Sequence, residues 1–131
     1  MLFDQQNKEW LLALSFVYIQ TGRLDHAVTI LTLLLSECPG LPDALKLAGN
    51  LYFLKEEYDR SFNYINQWMK IRSTRRDEKI EMSLLQARVL LKLKRKDLAR
   101  KCLMRYKVLL DEEELEQKLF VEQEKARQDN R

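Results

Sequence analysis

The chain has few of the residues that break or staple a polypeptide. It has three glycines and two prolines, so few turns are signalled and long helices are expected between them. The two cysteines, Cys38 and Cys102, lie in apolar helical runs and form no disulfide framework, which fits two reduced thiols. The single histidine, His26, leaves too few ligands of the right type for a metal site and reads as a surface residue beside a turn. There is no glycine-rich phosphate loop, no Ser/His/Asp or Cys/His grouping, and no carboxylate pair in an apolar setting. Neither catalysis nor a cofactor is expected. Long hydrophobic runs are also missing. The apolar stretch 10–19 is too short to cross a bilayer, follows Asp4 and Glu9, and lacks a small-residue cleavage site. A cytoplasmic protein without membrane insertion is expected.

What is present is helical periodicity and an uneven charge. Residues 1–69 hold five basic and eight acidic side chains, residues 70–107 fourteen basic and four acidic, and residues 108–131 four basic and eight acidic. The basic middle block, which includes "KIRSTRR" and "KLKRKDLARKCLMRYK", has three readings: a solvated outer face, a dock for an acidic partner, or a nucleic-acid patch. Nucleic acid is the least favoured, because no aromatic residues are interleaved to stack on bases.

The chain repeats itself. Shifted by 34 residues, Leu11 falls on Leu45, Tyr18 on Tyr52, Asp25 on Asp59, Ala27 on Ser61, Leu31 on Ile65 and Leu34 on Trp68. A further shift of 38 places Asp59 on Asp97, Ser61 on Ala99, Ile65 on Leu103 and Trp68 on Tyr106. The four extra residues fit the charged stretch Arg72–Lys79. Each copy reads as two helices. The first carries apolar residues at three-four spacing, as in Leu11, Leu14 and Tyr18. A small residue follows where the helices cross closely: Ser15, Gly49 or Ala87. After the turn, Asp25, Asp59 or Asp97 suits the first turn of the second helix, where a carboxylate meets free N–H groups and the helix dipole. Two residues on, Ala27, Ser61 or Ala99 is small for the same crossing. Pro39 ends the first copy's second helix.

This pattern resembles the tetratricopeptide repeat, a 34-residue helix–turn–helix unit. The resemblance covers about 8–110. The third copy is degenerate: Leu90 replaces the tyrosine and no terminal proline follows. The resemblance implies an all-α fold, with three helix–turn–helix units stacked as a right-handed superhelix and a C-terminal helix. It forms one domain over 1–131, with units at about 8–40, 42–72 and 77–110 and a capping seventh helix at about 111–128. Leu115, Leu119 and Val121 are expected to cover the last unit, and the acids Asp111–Glu114 to start that helix. Trp68 is expected in the core between units. Trp10, with no earlier unit to cover it, either closes the core edge or forms a contact surface, including a homodimer through the N-terminal helix.

In such an array the first helices line a concave face. The partner-binding groove is expected to hold Leu12, Phe16 and Ile19 from the first unit, Leu47, Asn50, Phe53 and Leu54 from the second, and Leu84, Arg88 and Leu91 from the third. Phe16, Leu47, Phe53, Leu54 and Leu91 are the expected apolar anchors, and Asn50 and Arg88 the polar contacts. Family members that capture acidic peptide C-termini use a Lys/Asn/Arg clamp there. This chain departs from it, with Leu12, Phe16, Leu47 and Leu85 at polar clamp positions and Glu81 at a lysine position. An apolar groove suits a helical or extended apolar segment of another protein. A folded-back end of the chain, such as 111–131, is the alternative occupant.

The layout is similar to small three-repeat chaperones of bacterial type III secretion, carried by "NKEWLLALSFVYIQTGRLDHAVTILTLLLSECPG" and "LLQARVLLKLKRKDLARKCLMRY". The export-apparatus chaperones are nearest in layout and the needle-subunit chaperones a near rival. The resemblance implies a bacterial cytoplasmic protein that keeps a small helical secretion substrate soluble for export. A generic scaffold for protein assembly is the alternative.

Overall fold

The computed structural model describes residues 4–71 and 75–130. These contain six helices and no strand: α1 (Gln5–Gln20), α2 (Leu24–Glu37), α3 (Pro42–Leu54), α4 (Tyr58–Met69), α5 (Arg76–Lys92) and α6 (Lys96–Asp129). No helix among the described residues is long and apolar enough to cross a membrane.

Local chemistry sets the helix starts. The Asp4 side chain caps α1 by accepting from the Asn7 N–H at 2.8 Å. Pro42 opens α3, where a missing N–H costs no hydrogen bond, and Asp43 lies in the first turn. Asp25, Asp59 and Asp97 occupy the first turns of α2, α4 and α6.

The three turns inside the pairs share one geometry. Gly22, Glu56 and Lys94 all adopt a left-handed backbone, with φ of 78°, 63° and 62°. The N–H of the next residue, Arg23, Glu57 or Arg95, reaches back to the carbonyl of Tyr18, Tyr52 or Leu90 at 2.8–2.9 Å. The carbonyls of Arg23, Glu57 and Arg95 then accept from the N–H groups of Ala27, Ser61 and Ala99, which opens the second helix of each pair. These are helix C-caps closed by a left-handed residue. They recur at the spacings of 34 and 38 seen in the sequence.

Successive helices pack on one another along the chain. In addition α1 lies against α3, and α3 against α5. The core is accordingly serial. One cluster joins Ile19, Leu31, Leu34 and Leu51, the next joins Leu45, Ile65, Trp68, Met82 and Val89, and the last joins Ala87, Leu90, Ala99 and Cys102. The small residues of the crossings are all buried, and Trp68 is 1% exposed. A Cβ on Gly49 would lie 3.0 Å from the Ile65 side chain, so the α3–α4 approach leaves little room for one.

Several expectations need correction. There is no separate seventh helix: α6 runs unbroken through Asp111–Glu114, because no glycine or proline interrupts it and Leu109 and Leu110 continue its inward face. Leu115, Leu119 and Val121 do not cover the last pair but stand half or more exposed. Leu103, the counterpart of fully buried Ile65, is 39% exposed, since among the described residues no helix other than α5 packs on α6. The charged stretch 72–79 falls partly on residues 72–74, outside the described residues; Arg76–Lys79 form the first turn of α5. Trp10 is exposed on α1 and closes no core edge.

Candidate functional site

The first helices of the pairs, α1, α3 and α5, flank a groove of about 700 Å³. Helix α1 contributes Leu12, Ala13, Phe16, Ile19 and Gln20. Helix α3 contributes Asp43, Lys46, Leu47, Asn50, Phe53 and Leu54. Helix α5 adds Glu81, Leu85 and Arg88. The spacing on each helix is three or four residues, so each presents one stripe to the same space.

The lining side chains differ in what they can offer. Phe16 and Leu54 are about half exposed and stand free for a partner. Leu12 and Leu47 are half-buried against the first core cluster and form the floor. Ile19 is 8% exposed and belongs chiefly to the core, so it supports the wall more than it offers contact. Phe53 packs edge-on to Tyr58, and the Arg88 guanidinium lies 4.8 Å from the centre of its ring. That stack holds the cation over an apolar surface within the groove.

The polar groups of the groove are largely engaged with one another. Lys46 Nζ meets Glu81 Oε2 at 2.8 Å, bridging α3 and α5. Asn50 Nδ2 donates to the Lys46 carbonyl at 3.0 Å, so the expected polar contact is partly spent within its own helix. With Asp43 and Arg88 the lining holds two groups of each sign. No excess of charge is present to select an acidic or a basic ligand.

Eight of the ten sequence-derived groove residues line this space, and Leu84 and Leu91 do not. Both flank Arg88 on α5, but on the side turned away from Leu85. At 100° per residue they sit on the edge of α5 remote from α3. Leu84 is half-buried there and Leu91 is half exposed. Sequence reasoning missed the Lys46–Glu81 bridge. Its signal was available: the 38-residue register sets Lys46 beside position 84, and Glu81 stands almost one turn earlier on that helix.

The basic block does not form one face. Arg76 pairs with Glu116 of α6, and Arg75 with Asp77 and Glu78. Arg88 lies in the groove, and Arg95 sits over the Phe62 ring. Among the described residues, Lys92, Lys94, Lys96, Arg100, Lys101, Arg105 and Lys107 lie around the α5–α6 turn and on the first half of α6, whereas Lys70 ends α4 and Lys79 lies near the start of α5. Among the described residues, no group of three or more His, Cys, Asp or Glu could hold a metal ion.

No protein-family model matches this chain, and no curated protein matches it.

Proposed function

We propose that this protein binds another protein, holding a helical or apolar segment in the α1–α3–α5 groove. The reading includes the finer architecture of three tetratricopeptide-like units in a right-handed superhelix, in which first helices line the concave side. One observation carries it: an open groove with an apolar floor, half-exposed Phe16 and Leu54 at its wall, and Lys46, Glu81 and Asn50 already engaged with partners of their own. Such a surface gains most from apolar side chains presented at helical spacing. Burying one leucine or phenylalanine anchor contributes roughly 1.5–3 kcal/mol, so a few are enough for stable capture.

The resemblance to type III secretion chaperones makes the bound segment part of a small helical secretion substrate, kept soluble in the bacterial cytoplasm until export. A general assembly scaffold would use the same groove for a different partner.

The test is capture from the source cytosol with wild type and Phe16→Glu, followed by calorimetry with the captured protein. Phe16 is half exposed, so Phe16→Glu should keep the helical circular dichroism and the melting temperature while abolishing binding. Equal affinity in the folded variant would exclude the groove. Binding through the basic residues would instead weaken steeply with salt and be the same in both proteins.

A further inference from the structure

Positions in register across the three pairs show where each pair meets the next. Leu31 shares a core cluster with Leu51 of α3, and Ile65 shares one with Met82 of α5. Both are buried, at 1% and 0% exposed, but their counterpart Leu103 is 39% exposed. Ile19 is buried and Phe53 half-buried, but their counterpart Leu91 is 51% exposed. Helix α3 packs on the first pair and α5 on the second, whereas the third pair meets no described helix beyond α3 and α4. Leu84 and Leu91 of α5 stand at this uncovered end, on the edge remote from α3.

Three more positions change character there. Leu24, Val28 and Leu35 are half-buried against the first cluster, and Tyr58, Phe62 and Met69 against the second. Leu35 and Phe62 each pack on the cluster of their own pair and on that of the next, so this edge of a second helix faces the following pair. The third pair has Lys96, Arg100 and Lys107 at these positions. All three are exposed and none has an ion pair among the described residues. At 100° per residue they and Leu103 fall within about 60° of one another, over about 16 Å of helix. Beyond Lys107 the sign reverses, with Asp111 and Glu114 along the same edge.

The end of the stack thus has an apolar centre, Leu91 and Leu103, and a cationic edge. Solvation of a terminal unit would be served by polar groups of either sign. Here all three changes are to cations. Lys96 even stands in the first turn of α6, where the helix dipole disfavours one. A second copy turned end to end would set cation against cation. We infer that this end binds an acidic amphipathic helix of another protein, seated on α5 and α6 as α3 sits on α1 and α2. Its apolar stripe covers Leu84, Leu91 and Leu103, and a row of Asp or Glu beside that stripe meets Lys96, Arg100 and Lys107. The site shares no residue with the groove lining and does not rest on the reading of that groove.

The experiment is fluorescence anisotropy with two labelled peptides, both designed helices of about five turns with leucine at three-four spacing. The remaining positions are alanine and glutamate in one, alanine and lysine in the other. In low salt the glutamate peptide should bind about tenfold tighter or more, and the preference should shrink in high salt. Amide shifts on its addition should centre on Leu91, Arg100 and Leu103. Leu91→Ser with Leu103→Ser should weaken binding about tenfold or more and leave the circular dichroism unchanged, since both residues are partly exposed. Arg100→Glu with Lys107→Glu should reverse the preference between the peptides. Phe16→Glu, in the groove, should change neither affinity. Equal affinity for the two peptides, no binding of either, or a preference kept by Arg100→Glu with Lys107→Glu would overturn the proposal. Loss of binding in Phe16→Glu would place the peptide in the groove and overturn it too. So would tighter binding of an equally charged single-stranded oligonucleotide than of the glutamate peptide, which would make the edge a nucleic-acid contact.

Discussion

Two buried serines show how differently the same side chain acts in this core. The Ser61 hydroxyl donates to the Gly49 carbonyl at 2.7 Å, across the crossing where α3 and α4 come closest. Ser83 is 1% exposed, and its hydroxyl has no hydrogen-bond partner among the described residues. Ser61→Ala removes a bond and should cost about 1 kcal/mol. Ser83→Ala removes a desolvated, unpaired group and should be neutral or stabilise by up to about 1 kcal/mol. Urea denaturation of the two variants checks this, and a clear loss of stability in Ser83→Ala would show that its hydroxyl is satisfied in solution. The smallness of position 61 was legible from its register with Ala27 and Ala99. The bond was not, and neither was the chain in which Cys102 Sγ donates to Gln86 Oε1 at 3.4 Å while Gln86 Nε2 donates to Asn66 Oδ1 at 2.8 Å. Such links depend on side chains brought together from three helices, which no local pattern records. The turns fall between these cases. Only the first has a glycine at its left-handed position. Glu56 and Lys94 conceal the same backbone, which register alone reveals.

At the scale of the element, α6 departs most from expectation. A cluster of acids marks a helix start only when something upstream ends the previous helix, and the chain from Lys96 to Glu114 contains no such residue. The Arg76–Glu116 pair fastens the middle of α6 to the first turn of α5. The hydrogen bond and charge of Arg76 hold the Glu116 carboxyl below its ordinary value of 4.5, and Glu116 in turn raises the pKa of the Arg76 guanidinium. A lowered carboxylate pKa adds stability above the usual carboxylate range, and this is lost as pH falls through the lowered value. A carbon-13 titration should find Glu116 below 4.5 in wild type and raised in Arg76→Ala, where the hydrogen bond and charge that lower it are gone. An identical titration in both proteins would show that the pair does not form in solution. Both groups are exposed, so the fastening is expected to fade in high salt.

Across the whole molecule, the serial core governs how damage spreads. The first cluster, on α1 to α3, shares no buried residue with the last, on α5 and α6. Leu31 is 1% exposed in the first cluster, and Leu31→Ala should cost about 2–5 kcal/mol. Hydrogen exchange should find protection lost in α1 and α2 and largely kept in α5 and the first half of α6. A uniform loss would mean that the six helices open as one unit. The same serial order explains why the groove was largely readable in advance. Residues 34 apart occupy equivalent faces, so one stripe found on α1 places its counterpart on α3. The rule fails on α5 at Leu84 and Leu91, because the side of α5 remote from α3 lies beyond the end of the groove.

A rod and a globule coexist in one small chain. At 1.5 Å per residue α6 is about 51 Å long, against a radius of gyration of about 14 Å expected for a compact chain of this length. End-over-end rotation in solution is therefore slower than spin about the α6 axis. Small-angle scattering should also give a radius of gyration above the compact value, since nearly every residue in the last turns of α6 is exposed.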